Sequence, residues 1–192
     1  MNLPNKLTIL RIVMIPVFVA VFYFTVIPYN YVISAVIFAL AAFTDFLDGY
    51  IARKYNLVTN FGKFLDPIAD KVLVSTALII FIAPINNVEI FPFNLNYLLA
   101  IFVALILARE LIVSGFRLVA ANQNVVIAAD KSGKLKTFFT DVTIVFILCV
   151  MGFNVFALQV TSLVLMAITT LLTVYSGIEC LVKNKSVLKE SK

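Results

Sequence analysis

The sequence predicts an all-α membrane protein that crosses the bilayer six times. Hydrophobic residues make up 62% of the chain and charged residues only 13%, and the mean hydropathy is +1.07. A typical soluble domain is about half apolar and carries about a quarter charged residues. A soluble fold of this size would therefore have too little polar surface, whereas long uncharged runs are typical of membrane helices.

Each predicted span is an apolar run close to the roughly 20 residues that a helix needs to cross the hydrocarbon core. The uncharged run 12–44 is too long for one span, and residues 28–30 (Pro-Tyr-Asn) favour a turn within it. The run 142–178 is divided in the same way at residues 152–154. The predicted spans, in a single domain covering 1–192, are roughly 5–27, 31–53, 65–84, 95–119, 135–153 and 157–181.

The basic residues indicate the orientation of these spans. With six spans, all 15 lysines and arginines fall on one side of the membrane, and the opposite loops near 28–30, 85–94 and 153–156 contain none. Basic loops face the cytoplasm, so the sequence predicts a multi-pass protein of the cell membrane with both termini inside. The basic tail from Lys183 onward is interpreted as an anchor to anionic headgroups.

The composition also limits the chemistry. The chain contains no histidine, and its two cysteines, Cys149 and Cys180, lie in apolar runs without the spacing of metal ligands. Zinc sites and histidine-based proton transfer are therefore poor candidates. Any metal ion is expected to be bound through oxygen ligands.

Four aspartates stand out because they lie at the cytoplasmic ends of two predicted spans. Asp45 and Asp48 are three residues apart in the second span, and Asp66 and Asp70 are four residues apart in the third. Both spacings place a pair of side chains on one helix face. Four carboxylates at adjacent helix ends repel one another, and at the membrane they are costlier still, so positive charge has to offset them.

The acidic cluster has two interpretations. In the simpler one the aspartates are solvated helix-end residues paired with nearby cations, for which the candidates are Arg53, Lys54, Lys63 and Lys71. The favoured interpretation is a divalent metal centre, because all-carboxylate sites prefer hard ions such as Mg²⁺ or Mn²⁺. Four carboxylates suffice for two ions, and two-metal sites are typical of phosphoryl displacements.

The residues from Asp45 to Asp70 form the pattern DxxDGxxARx8GxxxDxxxD. This pattern resembles the signature of the CDP-alcohol phosphatidyltransferase family. Three further segments are similar to members that use glycerol 3-phosphate, namely NLPNKLTILRI at the N-terminus, 108–117 (ARELIVSGFR) and 131–137 (KSGKLKT). The resemblance covers essentially the whole chain and implies the family's six-span fold and a homodimer.

The resemblance also implies a reaction, in which CDP-diacylglycerol and sn-glycerol 3-phosphate give phosphatidylglycerol phosphate and CMP. It implies that Asp70 is the general base on the acceptor hydroxyl. The implied metal site for two divalent ions, Mg²⁺ or Mn²⁺, consists of Asp45, Asp48, Asp66 and Asp70, with Asp70 near the second ion. The residues implied to bind CDP-diacylglycerol are Asp48, Gly49, Ala52, Arg53 and Gly62.

A second cluster of cations is predicted to bind the acceptor phosphate. Arg109 and Arg117 are eight residues apart, which places them on one face of the fourth span, and three lysines open the fifth span at the same depth. The full set is Arg109, Arg117, Lys131, Lys134 and Lys136. The simpler interpretation is that these cations only set the topology and pair with Glu110, Asp130 and Asp141.

Other functions are also compatible with the sequence. A member of the same family could use inositol phosphate as the acceptor, or phosphatidylglycerol to make cardiolipin. From another class, a cation transporter or channel also places carboxylates in membrane helices. A transporter or channel predicts acidic residues on the ion pathway to both sides of the membrane. Here nine of the ten acidic residues are predicted on the cytoplasmic side, and only Glu89 on the opposite side. Direct in-line attack, which we favour, and a covalent aspartyl intermediate are both compatible with the sequence.

Overall fold

The computed structural model describes residues 2–55, 57, 59–83, 96–123, 125, 127, 131–151, 153 and 155–188. Within these ranges, the side chains of Lys63, Asn122, Lys131, Ser186 and Leu188 lie outside the described part. The elements are α1 (Leu3–Tyr23), α2 (Asn30–Lys54), α3 (Asn60–Ile82), α4 (Asn96–Asn122), α5 (Lys131–Val150) and α6 (Phe156–Lys183), followed by a short 3₁₀ helix (Lys185–Leu188). No strand occurs in the described ranges, so the predicted all-α class is confirmed.

Four of these helices, α1, α2, α4 and α6, are long and apolar enough to cross a membrane. They make the chain a multi-pass membrane protein. Helices α3 and α5 have the necessary length, but every stretch of 18 residues in them carries three or four charged residues. The count of six spans therefore stays a prediction.

The turn between α1 and α2 lies where residues 28–30 predicted it. Tyr29 has a left-handed backbone with φ of 59°, an uncommon conformation outside glycine. The side-chain amide of Asn30 donates a hydrogen bond of 2.7 Å to the carbonyl oxygen of Phe22, which ties the start of α2 to the end of α1. The predicted loop 85–94 lies outside the described residues.

Polar contacts show that the helices alternate in direction. Arg11 of α1 pairs with Asp45 near the end of α2 and lies 3.8 Å from Asp66 near the start of α3. Lys136 near the start of α5 pairs with Glu110 in the second half of α4. Two contacts extend the pattern to the other helix pairs: Lys71 with Ser114, and Arg109 with Ser176. The starts of α1, α3 and α5 and the ends of α2, α4 and α6 thus form one end of the bundle.

The interior and the outer surface of the bundle are both apolar. Phe18 and Phe38 are fully buried and pack with 6.0 Å between ring centroids, which joins α1 to α2. Thr143 of α5 and Thr169 of α6 share a buried hydrogen bond of 2.8 Å, as is common between membrane helices. Many large apolar side chains point outward, among them Leu111 with 73% exposure, and this surface suits contact with lipid.

Candidate active site

Three carboxylates meet where α2 ends and α3 begins. Asp45 and Asp48 lie on one face of α2, and the second turn of α3 brings Asp66 against them. One oxygen atom of each carboxylate lies within 4.8 Å of the chosen oxygens of the other two. Asp48 is buried, whereas Asp45 and Asp66 are half-buried. Three negative charges at this spacing require a cation.

Among the described side chains, the cation that pairs with these carboxylates is Arg11, which is fully buried. Its Nη1 atom donates to Asp45 Oδ1 at 2.6 Å, and its Nη2 atom donates to Asp48 Oδ2 at 2.5 Å. Nη1 also lies 3.8 Å from Asp66 Oδ1, and Nε donates to Thr44 Oγ1 at 3.4 Å. The planar fork of one guanidinium therefore contacts all three carboxylates.

The cations suggested by the sequence do not take this place. Arg53 is exposed and lines a cavity. The Lys54 ammonium lies over two neighbouring tyrosine rings, 5.4 and 5.7 Å from their centroids, and Lys71 donates to a serine of α4. The side chain of Lys63 lies outside the described part. Sequence reasoning missed Arg11 because it is 34 residues from Asp45 and was counted only for topology.

Each carboxylate of the cluster has one oxygen atom engaged and one available. Asp45 Oδ1 and Asp48 Oδ2 accept from Arg11, and Asp66 Oδ1 accepts from the Thr8 hydroxyl at 3.1 Å. Asp48 Oδ1 is buried and has no hydrogen bond of good geometry among the described residues, and the backbone N–H of Gly49 also interacts with this carboxylate. A buried carboxylate oxygen without a partner is costly. An all-oxygen donor set with such an atom fits a hard divalent ion.

A cavity of about 190 Å³ opens beside this cluster, between the start of α1, the end of α2 and the start of α3. Its lining includes every residue that the resemblance implied for binding CDP-diacylglycerol: Asp48, Gly49, Ala52, Arg53 and Gly62. Asp66 also lines it, as do Pro4, Asn5 and Thr8 of α1, which sequence reasoning did not include. We call this space the donor cavity.

The two glycines of the donor cavity differ in the space around them. A Cβ atom on Gly62 would lie 2.8 Å from Asn5 Oδ1 and 3.2 Å from Thr59 Oγ1, which is too close. Thr59 caps α3 by accepting a hydrogen bond of 3.0 Å from the Gly62 N–H. A Cβ atom on Gly49 would lie 3.4 Å from the Arg53 guanidinium, at ordinary contact distance. Only Gly62 therefore has no room for a side chain.

Asp70 lies outside the three-carboxylate cluster. It lines a second cavity between α3, α4 and α5, of about 20 Å³, together with Glu110, Lys136 and Asp141. A space of this size holds about one water molecule. Asp70 follows Asp66 by four residues, so it lies one helical turn from the cluster on the same face of α3. We call this space the Asp70 cavity.

Two of the predicted acceptor cations share one carboxylate. Arg109 Nη1 donates to Glu110 Oε1 at 3.0 Å, and the Lys136 ammonium donates to the same oxygen. The other terminal nitrogen of Arg109 donates to the Ser176 hydroxyl of α6. A Cβ atom on Gly177 would lie 2.8 Å from Arg109 Cγ, so glycine makes room for this arginine between α4 and α6. Arg109 is thus held by protein groups.

The remaining predicted acceptor cations differ from this pair. Arg117 and Lys134 are exposed, and neither has an ion-pair partner in the part of the chain that the structure describes. The side chain of Lys131 lies outside the described part. The spacing of Arg109 and Arg117 predicted that they share one face of the fourth span. In the structure Arg109 is mostly buried, whereas Arg117 is exposed.

A family model described as CDP-alcohol phosphatidyltransferase matches residues 1–175. The chain belongs to this family. CDP-alcohol phosphatidyltransferases generally depend on divalent metal ions, and the cluster of Asp45, Asp48 and Asp66 is a group that can hold one.

Relatives within the family are similar over nearly the whole chain. A Bacillus subtilis protein named CDP-diacylglycerol--glycerol-3-phosphate 3-phosphatidyltransferase is 39% identical, over 99% of this chain and 98% of its own length. A Rickettsia bellii protein of the same name is 41% identical, over 92% of this chain and 91% of its own length. A Mycobacterium tuberculosis (strain H37Rv) protein named probable phosphatidylglycerophosphate synthase is 40% identical, over 93% of this chain and 79% of its own length.

A signal in the sequence could have identified the contribution of α1 to this phosphatidyltransferase site. Asn5, Thr8 and Arg11 are each three residues apart, so they form a polar stripe on one face of an otherwise apolar helix. All three are buried in the structure, Asn5 and Thr8 in the donor cavity and Arg11 in the carboxylate cluster. Buried polar stripes on membrane helices mark contacts or sites.

Proposed function

We propose that this protein transfers a phosphatidyl group from CDP-diacylglycerol to sn-glycerol 3-phosphate, forming phosphatidylglycerol phosphate and CMP. The observation that carries the proposal is that six of the eight motif residues line one cavity, in a chain whose relatives, named for this reaction, match nearly its whole length. These six are Asp48, Gly49, Ala52, Arg53, Gly62 and Asp66. A membrane bundle suits the lipid donor, because its acyl chains stay in the bilayer while its headgroup reaches the end of the helices.

The donor cavity is proposed to bind the cytidine and diphosphate parts of CDP-diacylglycerol. Arg53 lines this cavity and is exposed, so its guanidinium is available to pair with a phosphate. Gly62 and Gly49 bring backbone to the cavity surface without a side chain between it and the ligand. Asn5 and Thr59 add polar oxygens beside Gly62.

The three-carboxylate cluster is proposed to hold the divalent metal, Mg²⁺ or Mn²⁺, with Asp70 near a second ion. A bound ion supplies positive charge that stabilises the diphosphate and the CMP anion as it leaves. Asp48 and Asp66 line the donor cavity as well as forming the cluster, so they bring the carboxylates to the site proposed for the diphosphate. Arg11 keeps the carboxylates together from the side of α1.

Asp70 is proposed as the general base. An alcohol is a poor nucleophile at neutral pH, so a carboxylate has to accept its proton as the oxygen attacks phosphorus. The new bond joins the acceptor oxygen to the phosphorus of the phosphatidyl group, the bond from that phosphorus to the CMP oxygen breaks, and the proton passes to Asp70. Its position outside the three-carboxylate cluster supports this role, because a carboxylate that ligates metal is a weaker base.

Direct in-line attack is proposed over a covalent aspartyl intermediate. Asp70 is one helical turn from Asp66 of the cluster and lines a cavity with Lys136 and Glu110, so it lies between the carboxylate cluster and the acceptor cations. A covalent intermediate would release CMP from CDP-diacylglycerol before any acceptor is added. Single-turnover measurement of CMP without sn-glycerol 3-phosphate distinguishes the two routes, and a stoichiometric burst would contradict direct attack.

Arg117 and Lys134 are proposed to bind the acceptor phosphate first, because they are exposed and have no described ion-pair partner. Arg109 and Lys136 form ion pairs with Glu110 beside the Asp70 cavity. They are proposed to attract the acceptor phosphate by their charge without contacting it first. Lys131, at the start of the same helix as Lys134, remains a candidate. This arrangement favours a phosphorylated acceptor over an uncharged alcohol.

The active site and both termini are proposed to face the cytoplasm, because the basic residues lie at the end of the bundle that carries both cavities. The homodimer implied by the family resemblance stays a prediction, which chemical cross-linking in the membrane tests.

The proposal is tested by measuring CMP release from purified protein and CDP-diacylglycerol. sn-Glycerol 3-phosphate, inositol phosphate and phosphatidylglycerol are compared as acceptors, each with and without Mg²⁺ or Mn²⁺. We expect metal-dependent CMP release with sn-glycerol 3-phosphate. Release only with another acceptor would contradict the substrate assignment, and cation flux in liposomes without CMP release would favour the transporter alternative.

Gly62→Ala is expected to raise the KM for CDP-diacylglycerol about tenfold, as overpacking by one methyl group typically costs 1–3 kcal/mol. The added Cβ would lie 2.8 Å from Asn5 Oδ1, so this side chain, which lines the donor cavity, would have to move. The matched control is Gly115→Ala in α4, where nothing lies within 4 Å of the added atom. An equal KM for both variants would contradict a close fit at Gly62.

Arg117→Ala is expected to raise the KM for sn-glycerol 3-phosphate about 10- to 100-fold, the value of one hydrogen bond to a charged group. The KM for CDP-diacylglycerol should change little, because Arg117 does not line the donor cavity. Lys183→Ala removes an exposed cation near the same end of the bundle and serves as the control. A similar rise in both KM values would argue against an acceptor site at Arg117.

A further inference from the structure

Arg11 and Thr8 of α1 form one side of the carboxylate cluster, and neither belongs to the motif from Asp45 to Asp70. Arg11 is 0% exposed, and its guanidinium contacts carboxylates from both other helices of the cluster. Burying an arginine so completely is costly unless all its donors are paired. Here each of the three guanidinium nitrogens donates one hydrogen bond, two of them to carboxylates, and these bonds offset much of that cost.

The contacts divide the carboxylate oxygens into two sets. Arg11 donates to Asp45 Oδ1 and Asp48 Oδ2. The single proton of the Thr8 hydroxyl has three acceptors within reach, of which Asp66 Oδ1 at 3.1 Å is the nearest; the others are the Pro4 carbonyl oxygen at 3.2 Å and Asp48 Oδ2 at 3.3 Å. The second oxygen of Asp48 is left buried and without a hydrogen bond of good geometry among the described residues. A side chain that binds one oxygen of a carboxylate fixes the direction of the other.

The charges are consistent with an arginine that stays in place when an ion binds. Three carboxylates carry three negative charges and Arg11 carries one positive charge, which leaves two negative charges in the cluster. One divalent cation balances this remainder. A divalent cation can therefore bind without displacing Arg11. Removal of Arg11 would leave three carboxylates that repel one another.

We infer that Arg11, assisted by Thr8, is a positioning residue for the divalent metal centre. Arg11 holds one oxygen atom of Asp45 and one of Asp48, and Thr8 holds one of Asp66, so that the second oxygen of each carboxylate is available to the ion. This inference rests on the metal centre proposed above. It concerns the shape of the guanidinium as well as its charge. Arg11 donates from three nitrogens fixed in one plane, whereas a lysine ammonium donates from a single nitrogen at the end of a flexible stem and cannot occupy all three positions.

Arg11→Lys is the deciding variant, since it keeps the charge and removes the fork. Mn²⁺ affinity is measured by electron paramagnetic resonance of free Mn²⁺ on the purified full-length protein, together with the shift in Tm that Mn²⁺ causes. We expect a Kd about 10- to 100-fold higher than in the wild type, as for the loss of other partners of metal ligands. The Mn²⁺-induced rise in Tm should shrink accordingly.

The control is Lys6→Arg, which exchanges one cation for another at an exposed position of the same helix and should leave the Kd unchanged. An unchanged Kd in Arg11→Lys would mean that charge alone matters, and a lower Kd would mean that Arg11 competes with the ion; either result overturns the inference. If Arg11→Lys does not fold, Thr8→Val carries the test, with a severalfold higher Kd expected and an unchanged Kd overturning it. Absence of Mn²⁺ binding in the wild type would instead refute the metal centre itself.

Discussion

Replacing Asp70 by Asn is expected to lower kcat by about three orders of magnitude, within the range of 10²–10⁴ for loss of a general base. The reason is that asparagine cannot accept the proton of the acceptor hydroxyl. Because Asp70 lies outside the cluster of Asp45, Asp48 and Asp66, binding of an ion by that cluster should remain within a few-fold of the wild type. CMP release and Mn²⁺ affinity, measured on the same preparation, check both parts.

Asp141→Asn provides the comparison, because Asp141 lines the same cavity as Asp70. Glu110, the third carboxylate there, is occupied by ion pairs with Arg109 and Lys136 and is a poorer candidate for a base. We expect Asp141→Asn to retain most of the rate. If Asp141→Asn loses the rate while Asp70→Asn keeps it, the base is Asp141 and the role assigned to Asp70 is wrong.

The helices were predictable because each is a long apolar run with a clear break. The turn at residues 28–30 followed from proline and asparagine, and the structure closes it with the bond from Asn30 to Phe22. The membrane spans were less certain, because α3 and α5 combine apolar faces with the charges of the site. Composition averages over a helix and cannot separate a charged face at the membrane surface from a helix that does not cross.

The site was predictable where its residues belong to neighbouring positions of one helix. The three-residue spacing placed Asp45 and Asp48 together, and the structure brings Asp66 to them. Asp70 shares a face with Asp66 but lies one turn further along, about 6 Å on, and so reaches the cavity beside α4 and α5. The spacing of residues predicts which helix face they share, but not which neighbouring helix each side chain contacts along that face.

Residue spacing within one helix could not predict contacts between helices that are distant in the sequence. Arg11 offsets the carboxylates from another helix, and only the packing of α1 against α2 and α3 brings it there. The sequence suggested cations close in the chain, such as Arg53 and Lys54, because adjacency was the available criterion. The stripe of Asn5, Thr8 and Arg11 marks the polar face of α1, but its partners depend on the tertiary fold.

Asp48→Asn is expected to remove both metal binding and activity, with Mn²⁺ Kd raised at least about 100-fold by loss of a charged ligand and kcat lowered about 10³-fold. Asp48 is 1% exposed, has the buried oxygen atom without a hydrogen bond of good geometry among the described residues, and forms the 2.5 Å contact with Arg11. Arg11 keeps its pair with Asp45 in this variant, so the loss of stability should be smaller than the roughly 3–5 kcal/mol typical of a buried charge left without any partner. The metal-free variant should therefore also unfold at a lower temperature than the wild type.

Asp66→Asn separates the loss of metal from the loss of stability. The Asp66 side chain is 38% exposed and lies 3.8 Å from Arg11, so its pairing with the arginine is weaker than that of Asp48. Asp66→Asn should raise the metal concentration needed for activity but lower the metal-free Tm by much less than Asp48→Asn. An equal fall in Tm for both variants would contradict the dominant pairing of Arg11 with Asp48. Wild-type Mn²⁺ affinity in Asp66→Asn would exclude Asp66 as a ligand, because a half-buried carboxylate that ligates an ion cannot be neutralised without weakening the site.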